Sequence, residues 1–252
     1  MAITQKTVLI TGAARRLGRA IALELAGAGW NVAVHYNGSK RDADDTVATL
    51  RALGVRAEGL AADLADESET AALIGRSRAA LGPLGALVNN ASLFEHDDVT
   101  TMNRASWDRH MAVNLRAPVV LAKEFAAQMA PGMEGAIVNL LDQRVFKPTP
   151  EFLSYGVSKA GLHWLTVTLA QGLAPHIRVN AVAPGPTLPS ARQSIEHFQR
   201  QSEATLLGHG ATPEDIARAT RYLVEASAVT GQTIAVDGGQ HLAWRTADVT
   251  ME

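Results

Sequence analysis

The chain contains no cysteine. That removes disulfides, thiolate nucleophiles and Cys-ligated metals from its chemistry. Neither sign of charge dominates, the formal net charge being −2. No basic excess therefore favours nucleic acid or an anionic membrane surface. No uninterrupted apolar run approaches the roughly 18 residues of a membrane span. No signal-peptide pattern precedes the first strand-like segment. A soluble, cytoplasmic protein is expected. There is also no linker, repeat or low-complexity tract, so residues 1–252 read as one domain. What is present is ample core material: 47% of the residues are hydrophobic and 19% charged, a globular balance.

Strand-like and helix-like segments alternate along the chain. Residues 7–11 are β-branched and apolar, ending at Gly12, and 17–28 have helical spacing. Residues 31–36 form a second strand, 41–53 an amphipathic helix closed by Gly54, and 55–64 contain a third strand. A helix over 68–81 has Ser68 as its N-cap. Strands follow at 86–90 and 136–141, with one long helix over 107–129 between them. A helix over 154–173 and strands at 177–182 and 233–236 complete the series. Between those last strands, 184–210 read as an irregular insertion, and 213–225 as a helix capped by Thr212. Such alternation implies a parallel sheet covered by helices on both faces. Right-handed crossovers make it doubly wound.

The first strand runs into Thr11-Gly12-Ala13-Ala14-Arg15-Arg16-Leu17-Gly18 and then a helix. A strand–glycine turn–helix presents free N–H groups at a helix N-terminus, a site for pyrophosphate. Cofactor choice is read after the second strand, where NAD enzymes usually carry an acid. Here the segment is His35-Tyr36-Asn37-Gly38-Ser39-Lys40-Arg41, with no acid before Asp42, and Arg15 and Arg16 lie in the turn. Guanidinium groups attract a 2′-phosphate, so NADP(H) is favoured over NAD(H). The alternative is that Arg15, Lys40 and Arg41 are solvated charges.

Tyr155 and Lys159 are spaced to share one face of a helix. A nearby ammonium is expected to lower the pKa of the phenol and make it a usable general acid. By itself this pair is a common surface arrangement. The set Thr11-Gly12…Gly18, Asp63-Leu64, Asn89-Asn90-Ala91, Asn114, Tyr155…Lys159, Pro184-Gly185 and Asp237-Gly238-Gly239 resembles the short-chain dehydrogenase/reductase family, from about residue 6 to 241. The resemblance implies a Rossmann-like sheet of about seven strands, a nicotinamide cofactor, and a homotetramer or homodimer. It also implies that Asn90 and Ala91 line the cofactor and that Asp63 meets the adenine. Lys159 would bind the nicotinamide ribose, Asn114 would hold a relay water near Lys159, and Thr187 beyond Gly185 would touch the nicotinamide amide.

Three departures narrow the reading. The family usually has a serine where this chain has Asp142, thirteen residues before Tyr155. A carboxylate opposes a developing alkoxide, but a protonated one suits a C=N acceptor, and burial is expected to keep it protonated. Arg16 replaces a glycine of the turn. Ser92-Leu93-Phe94 follows Asn89-Asn90-Ala91, where glycine is usual. The combination Arg16, Ser92, Phe94, Asp142 and Tyr155 resembles the pteridine reductase branch. That likeness implies that Arg16 faces phosphate and pterin, that Phe94 stacks the pterin, and that Asp142 and Tyr155 deliver protons. Branch members often carry arginine where this chain has Gly38.

Plainer readings stay open: Phe94 as a core or loop aromatic, and Asp142 as a tolerated change paired with Arg144. His110, His163 and His241 are expected to be structural, no metal is expected, and Asp97-Asp98 reads as a solvated loop. The expected function is NADPH-dependent reduction of a pteridine-like or other planar C=N substrate, a small molecule. A generic carbonyl or alcohol oxidoreductase and a non-catalytic dinucleotide-binding sensor are the alternatives. Apolar residues on several faces of the long helices, among them Val119, Val120, Leu121, Leu162, Trp164 and Leu165, point to burial between subunits.

Overall fold

The computed structural model describes residues 3–189 and 193–244. Seven strands form one sheet in the order β3-β2-β1-β4-β5-β6-β7. They are β1 (Thr7–Ile10), β2 (Asn31–Tyr36), β3 (Ala57–Ala61), β4 (Ala86–Asn89), β5 (Gly135–Leu140), β6 (Ile177–Pro184) and β7 (Thr233–Val236). Every pairing is parallel.

Side chains alternate across the strands and feed two cores. Val8 and Ile10 point to one face, where they meet Ile21 and Leu25 of α1 (Arg16–Gly27), Val47 and Leu50 of α2 (Lys40–Ala52), and Ile216 and Leu223 of α8 (Pro213–Glu225). Leu9 points to the other face. There it meets Leu73 of α3 (Glu67–Leu81), Leu121 and Phe125 of α5 (Ala117–Ala127), and Ala170 of α6 (Leu153–Leu173).

Local chemistry sets the ends of the helices. Thr212 and Asp215 form a capping box at the start of α8, each satisfying an orphan donor of the first turn. The expected cap Ser68 is corrected to Asp66, whose carboxylate accepts from the N–H of Ser68 and Glu69. The long helix expected over 107–129 is interrupted. It comprises α4 (Arg104–His110), a π-helical turn (Met111–Arg116) and α5. The insertion over 184–210 is less irregular than its composition suggested, since it contains α7 (Ile195–Glu203), capped by Ser194.

Among the described residues, no helix is long and apolar enough to cross a membrane. The strand order reverses between β1 and β4, so the crevice at their C-terminal ends is the place where such sheets bind ligands.

Candidate active site

The C-terminal ends of β1, β2, β3 and β4 open onto a cleft of about 690 Å³ lined by Gly12, Arg15, Arg16, Leu17, Gly18, His35, Tyr36, Asn37, Ser39, Asp63, Leu64, Asn90 and Ala91. A second cleft of about 610 Å³ continues from it and is lined by Phe94, Asp142, Tyr155, Lys159, Pro184, Gly185 and Thr187. Arg16, Leu17, Asn90 and Ser92 border both. The sequence-predicted site residues therefore converge, with one exception. Asn114 is buried behind the wall of the cleft.

The glycine turn is pinned from three sides. The Thr11 hydroxyl accepts from the N–H of Asn90 and Ala91 at 2.9 Å each, and Asn90 Nδ2 donates to the Thr11 carbonyl at 2.8 Å. Thr46 Oγ1 donates to the Ala14 carbonyl at 2.9 Å. A Cβ on Gly18 would lie 2.1 Å from the Gly12 carbonyl oxygen, and Gly12 itself has φ +63°, so neither position accepts a side chain without strain. The start of α1 has no side-chain cap and no acid in its first turn. Its free N–H groups and positive dipole end face the cleft and suit a pyrophosphate. This cradle fits a dinucleotide.

Arg16 has φ +54°, in the left-handed region that favours glycine and costs other residues roughly 1–2 kcal/mol. Its guanidinium donates to the Pro189 carbonyl at 3.1 Å, tying the turn to the loop after β6. His35 lines the cleft and also braces the glycine turn. Its Nδ1 accepts from the Gly12 N–H at 3.0 Å, and its Nε2 meets the Ala62 carbonyl at 3.1 Å. That geometry requires the neutral ring, and burial lowers its pKa. Lys40 is engaged by Asp44 at 2.7 Å, whereas Ser39 at the start of α2 makes no cap hydrogen bond of its own.

Tyr155 and Lys159 stand one turn apart on α6, both buried. Tyr155 OH donates to Asp142 Oδ2 at 2.9 Å. Lys159 Nζ donates to the Leu140 carbonyl at 2.7 Å and lies 5.8 Å from the Tyr155 ring centroid. Burial, followed by the charge and hydrogen bond of Asp142, pushes the Tyr155 phenol well above its ordinary value. This reverses the lowering expected from Lys159. Burial brings Lys159 itself down to about 8. Asp142 is not an isolated acid. It accepts from the Arg144 N–H at 2.9 Å and from the Arg144 guanidinium at 3.0 Å as well as from Tyr155. The pairing with Arg144 is real, and in this arrangement the carboxyl group acts as an acceptor.

Phe94 lies beside this pair, but its ring is not bare. Phe152 stacks on one face, with centroids 4.4 Å apart and planes 8° from parallel. The Tyr155 ring meets Phe94 edge-on at 4.7 Å. The Arg144 guanidinium lies 5.6 Å from the Phe94 centroid and 5.2 Å from that of Phe152, within cation–π range. Ser92 Oγ donates to Asn114 Oδ1 at 3.3 Å, which also accepts from the Leu93 N–H at 2.8 Å. Asn114 Nδ2 donates to the Leu93 carbonyl and to Ser158 Oγ. Asn114 therefore fixes the Ser92-Leu93 loop against α6, and no hydrogen bond joins it directly to Lys159. Thr187 Oγ1 donates to the Gly185 carbonyl at 3.0 Å.

Sequence reasoning missed Phe152 and Asp97. Phe152 follows no periodicity that would mark it. Asp97, read as part of a solvated loop, is 2% exposed, because it pairs with Ser154 far along the chain. Asp98 alone behaves as a loop carboxylate, accepting from Thr100 and Thr101. His110 is fully buried, with Nδ1 at 2.9 Å from the Ser106 carbonyl and Nε2 accepting from the Glu95 N–H. His163 contacts Thr233, and His241 pairs with Asp237.

Comparison with known proteins agrees with this geometry. The family model described as enoyl-(acyl carrier protein) reductase matches residues 12–241. The 3-oxoacyl-[acyl-carrier-protein] reductase FabG of Staphylococcus aureus is 35% identical over 242 residues, covering 94% of this chain and 98% of that protein. The crystal structure of FolM alternative dihydrofolate reductase 1 from Brucella canis, complexed with NADP, superposes with a TM-score of 0.94 at 45% identity and covers 98% of both chains. A blue fluorescent protein from a metagenomic library, crystallised with NADPH, superposes with a TM-score of 0.86 at 31% identity, covering 93% of this chain and 97% of that one.

Proposed function

The chain belongs to the short-chain dehydrogenase/reductase family and is an NADP-dependent oxidoreductase; on that premise we propose that it reduces a pteridine-like or other planar C=N substrate. The observation that carries this reading is the Asp142–Tyr155 hydrogen bond at 2.9 Å, at the edge of a slot walled by Phe94. A carboxylate in that place disfavours the oxyanion of ketone reduction, whereas reduction of C=N builds an N–H and no alkoxide. The 45% identity to a Brucella protein described as an alternative dihydrofolate reductase supports the same substrate class.

The free N–H groups at the start of α1 would hold the pyrophosphate, and Arg15 and Ser39, which line the same cleft, would meet a 2′-phosphate. When bound, NADPH supplies hydride to the carbon of the C=N bond. Tyr155, kept protonated by burial and by Asp142, donates its proton to the nitrogen. The Lys159 ammonium stabilises the phenolate so formed, Asp142 orients the hydroxyl through its hydrogen bond, and the phenolate regains its proton from solvent. Arg16 and Ser92 border the slot where polar edges of a pteridine would lie, and Phe94 supplies a ring to stack against it. Because Phe152 covers one Phe94 face, the substrate either uses the opposite face or displaces Phe152.

The FabG likeness favours a second reading, reduction of a carbonyl. A structure with NADP⁺ and a pteridine separates the two. The proposal expects a ring nitrogen within hydrogen-bond reach of Tyr155 OH and the ring plane against Phe94. A pteridine bound away from Tyr155 would count against it.

A further inference from the structure

We infer that Asp97 is a positioning residue that clamps the substrate-contacting loop after β4 onto the N-terminus of the catalytic helix α6. Its carboxylate is buried, at 2% residue exposure. Oδ1 accepts from the Ser154 N–H at 3.0 Å, and Oδ2 accepts from Ser154 Oγ in a short hydrogen bond. The Asp97 carbonyl accepts from the Leu153 N–H at 3.2 Å. One residue thus receives both backbone donors of the first two residues of α6.

The helix needs this partner. The residue preceding it, Phe152, has φ +60° and makes no side-chain cap. A buried helix start without a cap leaves donors unsatisfied. Asp97 performs the N-cap role from 57 residues upstream, and its negative charge complements the positive end of the helix. Donors at both carboxylate oxygens offset the cost of burying the charge.

The consequence reaches the active site because both clamped segments carry it. Asp97 lies three residues beyond Phe94, and Ser154 immediately precedes Tyr155. The same loop is held to the Asn114 turn through Leu93 and to His110 through the Glu95 N–H. Those anchors lie on α4 and the π-helical turn; Asp97 supplies the hydrogen bonds to the start of α6. Stacking of Phe94 on Phe152 and the edge contact of His96 with Phe152 continue the seam. Loosening the clamp lets the Phe94 wall and the Tyr155 hydroxyl move independently. Misplacement of about 1 Å can cost as much as 100-fold in rate. The cofactor cradle on β1 and α1 stands apart from this seam.

The test compares full-length wild type, Asp97→Ala, Asp97→Asn and Ser154→Ala with NADPH bound. For Asp97→Ala the expected result is a turnover of a dihydropterin about 10- to 100-fold lower, a raised KM, and NADPH affinity by nicotinamide fluorescence within about twofold of wild type. Asp97→Asn keeps an acceptor for the Ser154 N–H and should recover most of the loss. Hydrogen exchange at residues 153–156 should quicken in Asp97→Ala while residues 12–18 stay unchanged. A folded Asp97→Ala with wild-type kcat and KM overturns the inference. So does a loss of turnover matched by an equal loss of NADPH binding, since that reports general destabilisation. Should Asp97→Ala not fold, Ser154→Ala decides in the same way, because it removes one hydrogen bond and leaves the carboxylate. The kinetic arm rests on the reductase reading above, but the exchange arm needs no substrate. A wild type inert towards dihydropterins, with faster exchange at 153–156 in Asp97→Ala, would refute that reading and leave the clamp supported.

Discussion

Replacing Asp142 by asparagine tests the chemistry with little change of shape. The carboxylate receives Tyr155 OH at 2.9 Å, the Arg144 N–H at 2.9 Å and the Arg144 guanidinium at 3.0 Å. An asparagine offers one acceptor oxygen and must turn its NH₂ either towards the phenol and guanidinium or towards the Arg144 N–H. The Asp142 and Arg144 side chains are only 15% and 21% exposed, and Arg144 Nε already lacks a partner. Losing a charge-assisted hydrogen bond here should cost about 1.5–3 kcal/mol of stability, visible as a lower denaturant midpoint with an unchanged slope. Turnover of a dihydropterin should fall by about two orders of magnitude or more, the usual range for general acid–base catalysis. Asp142→Ser should lose the same activity and can gain weak ketone reduction, since a hydroxyl holds a carbonyl oxygen without repelling it. The assay is steady-state NADPH oxidation on purified variants. If both variants match wild type on the true substrate, Asp142 is only a structural partner of Arg144, and the proton-transfer argument fails.

Tyr155→Phe should abolish turnover while NADPH affinity, read by fluorescence titration, stays within a few-fold; a Tyr155→Phe enzyme of normal rate would refute the assignment. Lys159 is charged below and neutral above a pKa lowered by burial to about 8, so a rate that needs its ammonium should fall as pH rises through that region. A rate rising through pH 8 would oppose the scheme. NADPH should bind at least about tenfold tighter than NADH, roughly 1.4 kcal/mol, and Arg15→Ala should narrow that gap; equal affinities would show that Arg15 and Ser39 hold no phosphate. Trp164 on α6 is 71% exposed, with Val157 and Val167 at 41% and 39%. Light scattering at micromolar concentration should therefore give a dimer or tetramer mass, and a monomer would refute subunit burial of this face.

The sheet and the cofactor cleft were legible in the sequence because both rest on local rules. Alternating apolar strands and helical stripes set the layers, and Gly12 and Gly18 are required where no Cβ fits. Tyr155 was marked by its spacing from Lys159 and Asp142 by the family resemblance, and the structure joins the two by a hydrogen bond. What escaped depends on long-range contact. Nothing in the Asp97-Asp98 dipeptide distinguishes a buried clamp from a solvated pair until Ser154 is brought beside it. The stacking of Phe152 on Phe94 joins residues far apart in the chain and leaves no period to read. The direction of the Tyr155 shift was misjudged because burial and Asp142 outweigh the ammonium nearby. The π-helical turn around Asn114 broke a helix that apolar spacing drew as continuous.

The most direct test of the account is the rate of NADPH oxidation by the wild-type protein with a dihydropterin, set beside a panel of ketones that includes a 3-oxoacyl thioester. The kcat/KM for the dihydropterin should exceed that of every ketone by at least about tenfold, a difference of roughly 1.4 kcal/mol in transition-state stabilisation. Robust ketone turnover with no dihydropterin reduction would contradict it and make the protein a carbonyl reductase. Inertness towards both classes, with NADPH still bound, would contradict it in favour of a dinucleotide sensor.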